Sequence, residues 1–282
     1  MSVSVCTIAR GRETHLRNLV QGLARQTVAP SELVIARMQP EPYRDLPLTA
    51  FPVRQVAVPG QRAPLAAARN AAARLASSES LVFLDVDVVP LPGLVAAYRD
   101  ALAPKLCAMG ETRYLAAADR ADQAGPDRLW RRAVQHPART FGDAPRRIAE
   151  TTEFWSLSFA LQAATFRAIG GFDDRFEGYG GEDTDFALRL GQAGVALHWV
   201  PAARAVHQWH AVEKPPLTHL ADIVRNATLF HEKHGRWCMD YWLTQLRDAG
   251  YVDWGPDRLR LLRTPSLDER EAARCDGSVR FS

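Results

Sequence analysis

The chain of 282 residues is 47% hydrophobic and 24% charged, an ordinary globular composition that excludes a wholly disordered or fibrous polypeptide. It contains no apolar run of the ~18 residues that a membrane-spanning helix needs. The length suits one large α/β domain or two small ones, and a net charge of +3 is too small to argue for nucleic-acid binding.

The basic residues are nearly all arginine, the lysines being Lys105, Lys214 and Lys233. With the many alanines, this points to a GC-rich bacterial genome. Cys6, Cys107, Cys238 and Cys275 are scattered, so neither a C-x-x-C zinc site nor a disulfide framework is expected. The segment MSVSVCTIARGRE has no apolar stretch of signal-peptide length, so a cytoplasmic protein is expected.

The β-branched run Val3–Ile8 reads as a buried strand. Leu16, Leu19, Val20 and Leu23 follow at helical spacing, and Glu32–Ala36 reads as a second strand, giving a βαβ opening and a parallel sheet. A proline-rich connector, Pro40–Pro59, holds a third strand near Val53–Val58, and a helix follows Pro64 over Leu65–Ala76. Ser80–Leu84 is the best central-strand candidate and runs into Asp85-Val86-Asp87; Pro90–Leu102 reads as the next helix.

Residues 113–147 are arginine-rich and aperiodic. They read as a long loop with one helix near Leu129–Val134, either a binding loop or lid or a solvated insertion. Order returns at Phe154–Phe159, and a short helix, Ala163–Ile169, stops at Gly170-Gly171. Gly178-Tyr179-Gly180-Gly181 reads as a turn, and Glu182–Gln192 as a helix with acidic residues in its first turn, where the helix dipole favours them. Val195–Val200 reads as a strand leading to Ala205-Val206-His207. The remainder, 236–282, reads as a mostly helical extension.

Two carboxylates two apart on a strand point the same way. Asp85 and Asp87, at the carboxyl end of a parallel strand, stand where α/β proteins bind ligands and where Mg²⁺ or Mn²⁺ finds oxygen ligands. A solvated strand end is the plainer alternative. Glu182, Asp183 and Asp185 crowd one helix start. Held ionised by the dipole, such a carboxylate is a weak base unless burial raises its pKa. His207 and His210 follow the last strand as candidate metal ligands. His15 reads as packing or capping, and His231 and His234 as lying on a surface helix. Trp237, Tyr241 and Trp242 are an acceptor platform or, as aromatic stripes more often are, core.

In order, these segments resemble the GT-A nucleotide-sugar glycosyltransferases, the family-2-like clan and within it the galactosyltransferase branch. The resemblance rests on Arg10-Gly11-Arg12-Glu13-Thr14-His15-Leu16, Ala66-Ala67-Ala68-Arg69-Asn70, Asp85-Val86-Asp87 and Gly178-Tyr179-Gly180-Gly181-Glu182-Asp183-Thr184-Asp185. It implies a single-domain GT-A (Rossmann-like) fold, a mixed, mostly parallel sheet flanked by helices, over residues 1–235. The nucleotide half would be about 1–110 and the acceptor half about 150–235.

By position it implies that Arg10 and Arg12 contact the nucleotide while Thr7 and Ala9 line its base pocket. Arg69 and Asn70 would lie beside the diphosphate, and Asp85, through the ribose or a metal-bound water, and Asp87, directly, would serve donor and metal around Val86. Tyr179 would wall the acceptor sugar next to Gly181. Glu182 would bond sugar hydroxyls, Asp183 would be the base, and Asp185 would support it. His207 or His210 would complete a Mn²⁺ or Mg²⁺ site.

The implied reaction is inverting transfer of a hexose from a UDP-sugar to an acceptor hydroxyl. The acceptor reads as carbohydrate, lipid-linked, peptide or small molecule, with peripheral membrane contact through the arginine-rich loops and no nucleic-acid partner. One departure stands out: Ile35-Ala36-Arg37-Met38 holds no acid where the family reads uracil, so the base stays open. A retaining transferase, a nucleotidyltransferase (though Thr7–Glu13 has no lysine for a phosphate loop) and an inactive sugar-binding module are the other readings.

Overall fold

The computed structural model describes residues 2–139, 142–149 and 153–281. The first half is built as the apolar runs require: β1 (Val3–Ala9), α1 (Glu13–Ala24), β2 (Glu32–Arg37), β3 (Val53–Ala57), α2 (Leu65–Leu75), β4 (Ser80–Leu84), β5 (Val88–Pro90), α3 (Leu94–Ala101) and β6 (Leu106–Tyr114). Then come α4 (Pro126–Arg132), β7 (Val134–Gln135), β8 (Arg146–Ile148), β9 (Ser158–Gln162), α5 (Ala163–Ala168), α6 (Glu182–Gln192) and β10 (Ala196–His207). The chain continues through α7 (Leu220–His234), α8 (Asp240–Asp248), the hairpin β11 (Val252–Gly255) and β12 (Arg258–Leu261), and α9 (Leu267–Ala273).

One sheet organises the molecule, in the order β3-β2-β1-β4-β9-β6-β10-β5, with β7 on β6 and β8 on β10. Strands β3, β2, β1 and β4 are mutually parallel; β9 is antiparallel to both β4 and β6, and β10 is parallel to β6. Most strands of this path therefore point one way, and their carboxyl ends share one edge. Alternation along the strands feeds two cores. Cys6, Ile8, Leu81 and Phe83 face the layer carrying α2, α5 and α6, while Val3, Val5, Val82 and Leu84 face α1 and α3. Because both faces are covered, β1 and β4 are buried along their whole lengths.

Three expectations change. Asp85 and Asp87 are not on the strand: β4 ends at Leu84, and the Val88 amide donates to the Asp85 carbonyl at 2.9 Å, closing a turn. Strand alternation does not apply there, and the two side chains enter different ion pairs. The region 113–147 is less irregular than expected, since β6 runs to Tyr114, α4 forms, and β7 and β8 pair with the sheet; residues 140 and 141 lie outside the described residues. The segment after 235 contains the β11–β12 hairpin besides its helices. No helix among the described residues is long and apolar enough to cross a membrane.

Candidate active site

The site lies at the carboxyl edge of the sheet. After β1, Gly11 and Arg12 both take positive φ (57° and 55°), which turns the Arg12 side chain toward the β4–β5 turn. There Arg12 Nη1 meets Asp87 Oδ2 at 2.6 Å. His207, the last residue of β10, places Nε2 3.4 Å from Asp87 Oδ1, and His210 Nε2 lies 3.6 Å from Asp87 Oδ2. Ligand atoms of Asp87, His207 and His210 all fall within 4.8 Å of one another. Asp87 Oδ1 is buried and accepts no hydrogen bond from the described residues. Burial works to raise the Asp87 pKa, but His207, Arg12 and His210 outweigh it and hold the carboxyl below its usual range. Burial keeps both imidazoles low, hence neutral and able to ligate.

Asp85 turns the other way. Arg69, on α2, donates from Nη2 to Asp85 Oδ1 at 3.0 Å and from Nη1 to Glu182 Oε1 at 3.1 Å. Its side chain is only 5% exposed, so one buried guanidinium joins the β4–β5 turn to the start of α6. Burial raises Asp85 against the pull of Arg69. Glu182 is pushed up to about 7 by burial and by Asp183, with Arg69 opposing. Asp183 is also raised by burial, against Arg69 and the Thr184 amide, which donates to Asp183 Oδ1 at 2.7 Å. The environment that makes a helix-start carboxylate a better base is thus present.

Glu182 and Asp183 owe their positions to the glycine turn. Gly178, Gly180 and Gly181 have φ of 74°, 90° and 89°, a region open to glycine at little cost. Asn226, fully buried on α7, donates to the carbonyls of Glu177, Tyr179 and Gly180 at 3.1, 3.3 and 2.7 Å and pins the turn.

Other expected residues sit apart. Asp185 is fully buried on the far side of α6, held by Arg189 at 2.8 Å, Lys233 at 2.5 Å and His234 at 2.9 Å; it anchors α6 to α7. His234 is therefore not a surface residue. It follows Asn226 and Phe230 on the inward face of α7, a spacing of four that carried the signal. His231 stacks on Trp237 at 4.0 Å, and His15 Nε2 lies 3.3 Å from the Trp209 carbonyl oxygen.

The amide of Asn70 is engaged by Phe172 and Asp174, so it fixes the loop after α5. Thr7 and Ala9 are buried in β1, and Thr7 Oγ1 finds no partner among the described residues. Arg10 lines an open groove with Met38, Gln39, Pro40, Pro59, Gly60 and Gln61. Gln39 Oε1 accepts from the Gly11 amide at 2.7 Å. Val86 is buried within its turn.

Sequence reasoning missed an aromatic wall. Tyr114 stacks on His207 at 4.9 Å, its register partner across β6 and β10. Trp155 carries the Arg139 guanidinium 3.5 Å from its ring centre, and His136 packs edge-on against Trp155 at 4.8 Å. Burial lowers Arg139 to about 10. Arg139 and His136 come from aperiodic sequence, and only their basic and aromatic character hinted at a site.

Strand order and helix layers are those of a GT-A fold, with the carboxylate–histidine group at its carboxyl edge. A family model described as the N-terminal domain of galactosyltransferase matches residues 137–213. Validoxylamine A glucosyltransferase of Streptomyces hygroscopicus subsp. limoneus is 28% identical over 275 residues, covering 82% of this chain and 56% of that protein. The pre-mycofactocin glycosyltransferase of Mycobacterium tuberculosis is 29% identical over 150 residues, 50% of this chain and 29% of that one.

The chain thus spans about half the length of the first of these curated relatives and less of the second. The fold is similar to that of GalNAc-T7 solved with UDP, GalNAc and Mn²⁺ (TM-score 0.55, 15% identity, 88% of this chain and 57% of that one). It is also similar to Staphylococcus aureus TarS in complex with UDP-GlcNAc (TM-score 0.56, 14% identity, 80% and 66%).

Proposed function

We propose that this chain is a metal-dependent, inverting hexosyltransferase that moves glucose, galactose or an N-acetylhexosamine from a UDP-sugar to an acceptor hydroxyl. The observation that carries the reading is the buried Arg69 bridge, 3.0 Å from Asp85 and 3.1 Å from Glu182. It sets the Asp85–Asp87–histidine group against the Glu182–Asp183 pair. The names of the bacterial relatives and the UDP-sugar bound by a fold neighbour support the donor class. Residues 1–235 form the transferase unit in this reading, and 236–282 an extension.

Asp87, His207 and His210 fit a divalent cation: one carboxylate oxygen left without a hydrogen bond and two neutral imidazoles. This mixed oxygen and nitrogen set suits Mn²⁺ better than Mg²⁺. A metal held there neutralises charge on the departing diphosphate. Arg10 and Arg12 add positive charge at the same end, and Asp85 faces the ribose or a water. Asp183 takes the acceptor's proton, aided by the burial that raises its basicity. Glu182 orients a neighbouring hydroxyl with the oxygen that Arg69 leaves.

The test is UDP release from UDP-glucose, UDP-galactose, UDP-GlcNAc and UDP-GalNAc, with Mn²⁺ and after chelation. The anomeric configuration of the product is then read by NMR. Activity that survives chelation removes the metal, and retained configuration removes Asp183 as base in a single displacement.

A further inference from the structure

The extension after residue 235 returns to the carboxyl edge of the sheet. Beyond α9 the chain lies along the residues that follow β10. The Lys214 amide donates to the Ala273 carbonyl and the Cys275 amide to the Val212 carbonyl, each at 2.9 Å. The chain then crosses to the residues that follow β6, where the Ala117 amide donates to the Gly277 carbonyl at 3.3 Å. A Cβ at Gly277 would lie 2.8 Å from Ala117 Cβ, so the close approach depends on glycine. Next, the Trp209 indole donates to the Val279 carbonyl at 2.9 Å, and Arg280 Nη1 donates to the carbonyls of Tyr114 and Arg132 at 3.3 and 3.2 Å. The Phe281 ring packs edge-on against Tyr114 and His136 at 5.1 and 4.7 Å.

Two of these partners adjoin the histidines beside Asp87. Tyr114 lies between rings, stacked on His207 at 4.9 Å and met by Phe281 at 5.1 Å. Trp209 stands between His207 and His210 in the chain, and its neighbour Gln208 is fastened separately. The Gln208 amide donates to the Asp87 carbonyl at 2.7 Å, and its side chain accepts from Asn18 at 2.7 Å and donates to the His15 carbonyl at 3.1 Å. Gln208 thus ties the segment to α1 and to the Asp87 turn, while Trp209 ties it to 277–281. His210 Nδ1 lies 3.0 Å from the Ala211 carbonyl. A carbonyl only accepts, so the proton sits on Nδ1 and the Nε2 lone pair is left free on the Asp87 side.

We infer that residues 277–281 brace the metal ligands: by holding Trp209 and Tyr114 they set His207 and His210 against Asp87 before a cation arrives, and so favour Mn²⁺ over Mg²⁺. The inference rests on the metal site of the proposed function, and it makes the extension a working part of that site. Trp209, Tyr114 and Phe281 are positioning residues, acting through the two imidazoles. Groups behind a metal ligand fix its orientation, and losing one typically costs about 10–100-fold in metal affinity. Ligands already ordered also lose less freedom on binding.

The experiment follows Mn²⁺ by electron paramagnetic resonance as it is titrated into the full chain, with Mg²⁺ then added as competitor. Trp209→Phe keeps an aromatic ring and removes the N–H; it should weaken Mn²⁺ binding about 10-fold. Phe281→Ala should weaken it about 5-fold, the scale of a lost aromatic pair, and Phe281→Tyr, which keeps the ring, should bind like the wild type. Mg²⁺ relies on oxygen ligands, so its affinity should move less. The nitrogen hyperfine signal of bound Mn²⁺, which reports imidazole ligation, should fall in both weakened variants. A merely structural role would lower both cations together and leave that signal unchanged in the bound fraction; this result overturns the brace. Wild-type Mn²⁺ affinity in the variants overturns it too and leaves the metal reading standing, whereas a wild-type chain that binds no Mn²⁺ overturns both. Urea unfolding identifies a variant that has lost its fold, and since Trp209 and Phe281 hold different ends of the brace, either variant decides alone.

Discussion

Replacing Arg69 by methionine tests the electrostatic centre of the molecule. The arginine side chain is 5% exposed and its two terminal nitrogens reach Asp85 and Glu182 at 3.0 and 3.1 Å. Methionine keeps most of the bulk and removes the cation, leaving two buried carboxylates with no guanidinium between them. Removing one partner of a buried ion pair costs about 3–5 kcal/mol. For a chain of this size that corresponds to a fall in Tm of about 5–8 °C.

The loss should depend on pH, because protonation relieves it. Glu182 is already held at about 7 against an ordinary 4.5. A carboxyl raised in the folded state favours folding at low pH, and that contribution fades as pH rises from the unfolded toward the folded value. Without Arg69 both carboxyls move further up, so the penalty at about pH 8 should exceed that at about pH 5. Urea unfolding of both chains across this range measures it. A penalty equal at both pH values, or none, would refute the picture of Arg69 balancing charged carboxylates.

Chelation should abolish UDP-sugar turnover and Mn²⁺ should restore it better than Mg²⁺; Asp87→Asn should lose metal-dependent nucleotide binding by calorimetry while its circular dichroism stays unchanged. Asp183→Asn should lower kcat by ~100-fold or more, the usual scale for a general base, with little change in donor KM, whereas Glu182→Gln should raise the acceptor KM as well; near-normal turnover in Asp183→Asn would move the base elsewhere. The rate should fall on the acid side at a pH above the ordinary carboxylate range, since burial raises both Asp183 and Glu182 and protonation disables the base; a pH–rate profile flat down to about pH 5 would contradict this. Gly178→Ala should destabilise by at least ~1–3 kcal/mol, because φ is 74° and the added Cβ would run into the Asp222 carboxyl; urea unfolding reads it directly.

Much of this was legible in the sequence, and the division has a physical cause. The elements read best are those whose burial repeats: β1 and β4 are apolar at every position because both sheet faces are covered, and α6 spans Glu182–Gln192 as its glycine turn and acidic start announce. Asp85, Asp87, Glu182 and Asp183 stand beside such elements, which is why the sequence alone draws attention to them. What escaped was tertiary. Arg139 and His136 come from a stretch with no period, and only the fold brings them, with Trp155, beside Tyr114 and His207.

Asp185 and His234 show the opposite error. Motif position placed Asp185 among the catalytic acids, and composition placed His234 on the surface, yet the two meet at 2.9 Å in a buried anchor between α6 and α7. A motif records which residues lie near the chemistry, not which way each points. On a helix, residues 183 and 185 are about 200° apart, so one glycine turn cannot aim both at the same acceptor. The geometry of the helix therefore parts Asp183 from Asp185, which holds α6 to α7, and Asp185→Asn should lower stability before it touches the pH dependence of the rate.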